Sequence, residues 1–379
     1  MNVYLDHAAT TPVDPRVLQA MLPFFTERAG NASSVHGFGQ DARGAVDQAR
    51  AQVAGAIGAR PAEIVFTSGA TESDNLAVMG VVLAAEGRGR HLVTTAIEHH
   101  AVLEVCHFLE ARGCSVTYVP VDGRGIVDPD DVRRALRPDT VLVSVMAANN
   151  EIGTLQPVAE IGLLTRERSI PFHTDATQLV GAAPVDVDDL HVDLLSMSAH
   201  KRYGPKGVGA LYVRTGTPLA PVQRGGSHER GRRGGTENVP GIVGLGAALR
   251  IALEEMEGER VQLTALRDRL VREALGLPGA HLNGDPVQRL PNNVNLSFDD
   301  TDSQSLVMGL DLHGVASSSG SACTSGSMEP SHVLVALGLP PARATAAVRL
   351  TLGRGTTDAE ITCALGALRD VVARLRRAA

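Results

Sequence analysis

The sequence predicts an α/β fold: a large domain on a mainly parallel sheet flanked by helices, plus a smaller α+β C-terminal domain. Three observations carry that expectation. Between residues 63 and 214, short apolar runs alternate with amphipathic stretches, the mark of βαβ units. The runs are apolar almost throughout, as strands covered on both faces require. Near residue 247 the pattern changes to a long Arg/Glu/Leu-rich helix, followed by a Pro/Gly/Asn-rich segment.

Taken in order, "EIVFTSG" (63–69) reads as a strand and "ATESDNLAVMGVVLAAEG" as the helix after it. "HLVTTAI" (91–97) is the next strand, and "HHAVLEVCHFLEARG" a helix ended by Gly113. "SVTYVPV" (115–121), "TVLVSVMAA" (140–148), "IPFHTDA" (170–176), "VDLLSMSA" (192–199) and "VGALYVR" (208–214) continue the series as strands. Crossovers in such a sheet are right-handed, and ligands bind at the carboxyl ends of its strands. "AALRIALEEMEGERVQLTALRDRLVREAL" is the helix on which the domain boundary falls, and "DAEITCALGALRDVVARLRR" is a closing amphipathic helix. The expected organisation is an N-terminal segment, 1–15, packing with the small domain; a large ligand-binding domain, 16–250; and a small domain, 251–379.

Composition narrows the function. A chain of 379 residues, 44% hydrophobic and 20% charged, suits a globular protein of two domains. A net charge of −7 gives no electrostatic case for nucleic acid or an anionic membrane as partner. Trp is absent and aromatics are 3%, so base-stacking platforms are not expected. "MNVYLDHAATTPVDPRV" shows no signal-peptide pattern, and no apolar run is long enough to span a membrane. The four cysteines lack C-x-x-C spacing and read as reduced thiols, which makes the cytoplasm the expected location.

Several polar residues fall at predicted strand ends. Ala70 and Thr71 open a helix after a strand and a glycine, which makes either an anion cradle or an ordinary N-cap. His99, after the second strand, is either a water-facing residue at a helix start or an imidazole at the site. A metal centre joining it to Cys106, His107 and Cys114 fits no zinc spacing, so no metal is expected. Asn150 follows the fourth strand, and Asp175 ends the fifth with Gln178 one turn on. Asp175 either caps the next turn or holds a ring nitrogen protonated. Ser198, His200 and Lys201 follow together at the end of "VDLLSMSA".

Lysine is rare here. Of 35 basic residues only Lys201 and Lys206 are lysines, five positions apart. An ammonium can lose its proton and attack a carbonyl, which a guanidinium cannot do. Lys206 sits in the turn Gly204-Pro205-Lys206-Gly207 and reads as a surface residue. An amine, an acid and a phosphate cradle together are what pyridoxal phosphate requires. The one G-x-G-x-x-G-like stretch, "GLGAAL" (244–249), lies inside a predicted helix and is rejected as a dinucleotide motif.

Cys106 and Cys363 fall on apolar helix faces and read as inert. Cys323 lies in "SSSGSACTSGSMEP" (317–330), a small-residue run expected to be a mobile loop carrying a reactive thiol. "GGSHERGRRGGTENVPG" (225–241) is either a solvated loop or a flap bringing Thr236 and arginines to an anion. Arg349, within the apolar run "AAVRLTL", needs a partner, for which a substrate carboxylate is a good candidate.

Taken together, "VYLDHAATTP", "FTSGATESDNLA", "NNEIG", "HTDATQ", "SMSAHKRYGPKGVGALYVR" and "SSSGSACTSGSMEPSHVLVALGL" resemble the NifS-type cysteine desulfurases. These belong to the class V aminotransferase group of fold-type I pyridoxal phosphate enzymes, and the resemblance covers almost the whole chain. It implies that Lys201 links covalently to pyridoxal 5'-phosphate and later moves protons, while His99 stacks over the ring. It implies that Asp175 pairs with the ring nitrogen, and that Gln178 and Asn150 reach the ring oxygen or the substrate. Ala70, Thr71, Ser198 and His200 would hold the phosphate, and Thr236 would come from the other subunit of a homodimer. Arg349 would grip the carboxylate of L-cysteine. Cys323 would take the sulfur as a persulfide, with transient iron–sulfur ligation as its only metal role. The sulfur would pass to an acceptor protein for iron–sulfur cluster assembly or thiolation. Another class V aminotransferase or a selenocysteine lyase would share Lys201 and Asp175 without needing a mobile thiol.

Overall fold

The structure, a computed structural model, describes residues 2–378 apart from 86, 88 and 320–329. The strands are β1 Val3–Tyr4, β2 Ile64–Thr67, β3 His91–Thr95, β4 Ser115–Val119, β5 Thr140–Ser144 and β6 Phe172–Asp175. They continue with β7 Leu194–Ser198, β8 Gly209–Val213, β9 Ala280–Leu282, β10 Asn293–Phe298, β11 Val315–Ala316 and β12 Ala347–Thr351. Seven of them form one sheet in the order β2-β8-β7-β6-β5-β3-β4. All run the same way except β8, which is antiparallel to both its neighbours.

This arrangement agrees with the expected, mainly parallel sheet, and it explains the continuous apolar runs. Residues such as Val65, Leu92, Val93, Leu142, Val143, Leu194 and Leu195 are at most 2% exposed, because helices cover both faces. The strand order reverses between β3 and β5, so a crevice opens at their carboxyl ends. Since β2 runs with the parallel set, its end at Thr67 reaches the same edge.

The strands are shorter than the apolar runs. In the run 140–148 β5 itself ends at Ser144, although Val145 and Ala147 still donate to His173 O and Asp175 O, and Val145–Ala148 stay buried beyond it. Burial alone makes such residues apolar, whether or not their backbone pairs in the sheet. The long helix begins earlier than expected, at Val239, where the Asn238 side chain accepts from the Gly241 N–H. Its "GLGAAL" stretch serves packing. A Cβ on Gly246 would lie 2.8 Å from Ala49 Cα in the helix Gly37–Gly55.

A second apolar cluster lies around the three-stranded antiparallel sheet β12-β10-β9. Leu263, Leu270, Phe298, Leu350 and Leu368 build it, and Val3 and Leu5 belong to it as well. The N-terminal strand β1 pairs with β11, and Asp6 bridges to Thr351. No described helix is long and apolar enough to cross a membrane.

Candidate active site

Five strand ends converge on a cavity of about 520 Å³. Where β2 gives way to the helix Ala70–Ala84, Gly69 adopts φ 155° and ψ 178°, a conformation open essentially only to glycine. The helix has no side-chain cap: Gly69 is its N-cap, and Thr71 lies within its first turn. The ordinary capping role considered for Thr71 is therefore not the one it takes. Ala70, Thr71 and the Ser198 side chain face the cavity, with the positive end of a helix dipole behind them.

After β3, His99 is the N-cap of the helix His100–Glu110, and its Nδ1 accepts from the Ala101 N–H at 3.1 Å. A neutral His99 therefore carries its proton on Nε2. Burial lowers its pKa, against the opposing pull of the Asp175 charge. After β5, the Asn149 side chain donates to Ile97 O and accepts from the Glu151 and Ile152 N–H groups, which fixes the turn that brings Asn150 to the cavity. Asp175 ends β6 at 7% exposure, and its Oδ1 accepts from the Thr177 N–H. Gln178 lines the cavity and donates to Ala8 O at 3.2 Å.

Lys201 closes a short 3₁₀ turn, Ala199–Lys201, after β7. Its Nζ donates to Ala8 O at 2.7 Å and Ala9 O at 2.8 Å. His200 Nδ1 lies 3.1 Å from Thr10 Oγ1, and burial, followed by the Lys201 and Lys206 charges, lowers its pKa to about 4. It is a neutral ring at physiological pH.

Arg349 lines the cavity from β12 at 2% exposure. The substrate carboxylate expected as its partner is not its only recourse. Its Nη2 lies 2.9 Å from Asp6 Oδ1, and its Nη1 donates to Asn150 O at 3.0 Å. Thr236 is exposed and does not line this chain's cavity. The flap arginines do not line it either, and Arg233 forks onto Glu72 at 2.8 and 3.2 Å. Cys323 lies outside the described residues. Cys106 is buried on its helix, and that burial pushes its thiol up to about 12. Among the described residues no group of three or more His, Cys, Asp or Glu side chains could hold a metal ion.

Behind the cavity lies a buried polar layer. His173, lowered to about 4 by burial, sits between Ser144 Oγ and Ser196 Oγ. Asp74 is raised well above the usual carboxylate range by burial and by the Asp175 charge. The 3.6 Å contact between His173 and Asp74 therefore joins two neutral groups, not an ion pair. Glu98 accepts from Thr95 Oγ1 at 2.6 Å and the Met146 N–H at 2.9 Å, and burial raises its pKa to about 8. Between its ordinary value of 4.5 and about 8, the folded chain holds a proton there that the unfolded chain lacks. Stability should thus fall as pH rises through that window. Urea unfolding should show wild type losing on the order of a few kcal/mol relative to Glu98→Gln between about pH 5 and about pH 8. Parallel curves for the two proteins would contradict a protonated Glu98.

The family described as "Aminotransferase class-V" matches residues 3–363. This chain belongs to the class V aminotransferase family. A cysteine desulfurase IscS of Dictyoglomus turgidum is 52% identical over 376 residues, covering 99% of this chain and 95% of that protein. One of Methanosarcina thermophila is 50% identical over 374 residues, covering 99% and 93%. Among solved structures, a NifS-like protein superposes with a TM-score of 0.93 at 40% identity, covering 99% of this chain and 100% of that one. A structure titled SspA in complex with cysteine gives 0.83 at 40% identity, covering 92% and 98%.

Class V aminotransferases are pyridoxal 5'-phosphate enzymes, and the residues at this edge fit that cofactor. An amine, a carboxylate, an imidazole and an uncapped helix N-terminus face one another across the cavity. In this class V member the N-terminal segment also lines the site, a contribution read only as packing from sequence. Ala8, Ala9 and Thr10 lie far from any predicted strand end, and although they fall within "VYLDHAATTP", neither that motif nor their local pattern assigns them a place in the site. His100 and His332 also line the cavity, their ring centroids 4.8 Å apart. The doublet His99-His100 is one available signal for His100, while His332 is marked only by lying within "SSSGSACTSGSMEPSHVLVALGL".

Proposed function

We propose that the chain is a cysteine desulfurase. It takes sulfur from L-cysteine, releases L-alanine, and holds the sulfur as a persulfide on Cys323. The sulfur then passes to an acceptor protein for iron–sulfur cluster assembly or thiolation. One observation supports this best. Lys201, Asp175 and the uncapped helix at Ala70 share one cavity, in a chain about half identical to proteins named cysteine desulfurase.

Bound pyridoxal phosphate supplies an electron sink for the substrate carbon. The chain's residues do the rest. Lys201 would hold the cofactor through its aldehyde carbon and would carry a proton to and from the substrate. Asp175 would keep the ring nitrogen protonated, and Gln178 and Asn150 would orient the ring oxygen or the substrate. Ala70, Thr71, Ser198 and His200 take the phosphate, His200 as a neutral hydrogen-bonding ring. His99 would stack on the ring, and its neutral imidazole would carry the proton on Nε2. Arg349, held by Asp6 and by the Asn150 carbonyl, lines the cavity where a fork onto the substrate carboxylate would form.

The Cys323 thiolate attacks the substrate sulfur. A sulfur–sulfur bond forms as the carbon–sulfur bond breaks, and the electron pair left on carbon takes up a proton to give alanine. Thr236, exposed on its own chain, completes the site of a second copy, so the working unit is a homodimer. The two largest apolar clusters support a division near residue 250, and Val3 and Leu5 support placing the N-terminal segment, 1–15, with the small domain.

Incubation with cysteine should add one sulfur to Cys323, read by intact mass, with alanine released in step. Cys323→Ala should still bind cofactor and cysteine but lose sulfide release at least about 100-fold. Undiminished turnover by that variant would favour a selenocysteine lyase or another class V activity.

A further inference from the structure

We propose that Lys206 is a cofactor-binding residue, the cation that balances the charge of the phosphate at the helix end of the cavity. The inference rests on reading this cavity as the cofactor site. It begins with topology. Because β7 and β8 are antiparallel, with Ser198 opposite Gly209, the loop between them stays at the edge that holds the site. Gly209 also pairs with Thr67, and a Cβ on Gly209 would lie only 2.7 Å from Gly69 Cα. The Gly204–Gly207 turn is thereby pressed beside the start of the helix Ala70–Ala84. Lys206 and Gly207 line the cavity together with Ser68, Gly69 and Ala70.

The charge balance then singles out one residue. A phosphate monoester carries roughly −1.5 to −2 charge at neutral pH. The groups already facing it here are neutral: the Ser198 and Thr71 hydroxyls, backbone N–H groups, and His200, whose proton the buried site and neighbouring lysines disfavour. Arg233 is close in sequence to the flap but is committed to Glu72. Three cations line the cavity. Lys201 donates to two backbone carbonyls of the N-terminal segment, and Arg349 is held by Asp6 on the small-domain side. Lys206 makes no ion pair among the described residues, and its side chain is exposed at the cavity mouth. A compact ammonium on a flexible stem suits a phosphate there, and it leaves the cofactor's path open.

The test uses the full-length protein stripped of cofactor, titrated with pyridoxal phosphate and, separately, with pyridoxal, which lacks the phosphate. Binding is followed by the imine absorbance band and by equilibrium dialysis. Lys206→Met should weaken pyridoxal phosphate binding roughly three- to tenfold, leave pyridoxal binding unchanged, and flatten the salt dependence of the former. Lys206→Arg should restore most of the loss. Equal weakening of both ligands, or none, would overturn the role of Lys206 alone. A folded wild-type protein that takes up no pyridoxal phosphate would remove the cofactor site itself, and this inference with it.

Discussion

Replacing Lys201 with alanine should abolish turnover of cysteine, by at least about 10³-fold, because one substitution removes both the covalent anchor and the proton carrier. The protein should nonetheless fold. Lys201 is only partly buried, and the carbonyls of Ala8 and Ala9 that it serves lie in the same open cavity and can be met by water. Borohydride treatment of wild type should leave the reduced cofactor on the peptide containing Lys201, and Lys201→Ala should leave none. A tag on Lys206 instead would reassign the anchor. Lys201→Arg is the sharper comparison, since it keeps the positive charge and loses the chemistry. It should be as inactive as the alanine variant.

The largest loss of stability is expected away from the cavity, at Glu229. The short turn His228–Gly231 carries two non-glycine residues at positive φ, Glu229 at 46° and Arg230 at 57°. Such a backbone persists only where its surroundings hold it. Here the Glu229 carboxylate meets the Arg50 guanidinium in a two-pronged pair at 2.7 and 2.8 Å, and it also accepts from the Phe66 N–H. Both side chains are almost fully buried, and Arg50 further donates to Ile64 O. Glu229→Ala would leave the guanidinium buried without its counter-charge, at a cost of about 3–5 kcal/mol. Urea denaturation should register that loss. The double variant Arg50→Met with Glu229→Leu should recover much of it, since two apolar groups need no partner. A single variant as stable as wild type would show the pair to be dispensable. The flap that bears Thr236 hangs from this turn, so the single variant should also make residues 225–241 more susceptible to proteolysis.

This pair also shows where reading residues in order stops. "GGSHERGRRGGTENVPG" reads as a solvated loop or flap, and nothing in it distinguishes Glu229 from Glu237 as the carboxylate that is buried and paired with Arg50. Glu229 is the most buried charge in the segment, because its partner lies 179 residues earlier on another helix. Arg349 is a similar case. An arginine in an apolar strand announced a need for compensation, but Asp6, from the opposite end of the chain, meets part of it. Glu98 follows a predicted strand and Asp74 lies within a predicted helix, and neither position reveals a charge state. Burial on the inner side of the strand ends makes them neutral carboxyls.

The strand-end residues fared differently. Asp175, Ser198, Lys201, His99 and Ala70–Thr71 could all be anticipated as neighbours, because a parallel sheet carries every strand's carboxyl end to one edge. Hydrophobic period is a local property, and from it follow the elements, their alternation and hence that shared edge. Charge state and partnership are not local. The neutrality of His200, the carbonyl bonds of Lys201 and the closure of the site by Ala8–Thr10 arise only when distant segments exclude water and approach to within about 3 Å, the range over which hydrogen bonds act.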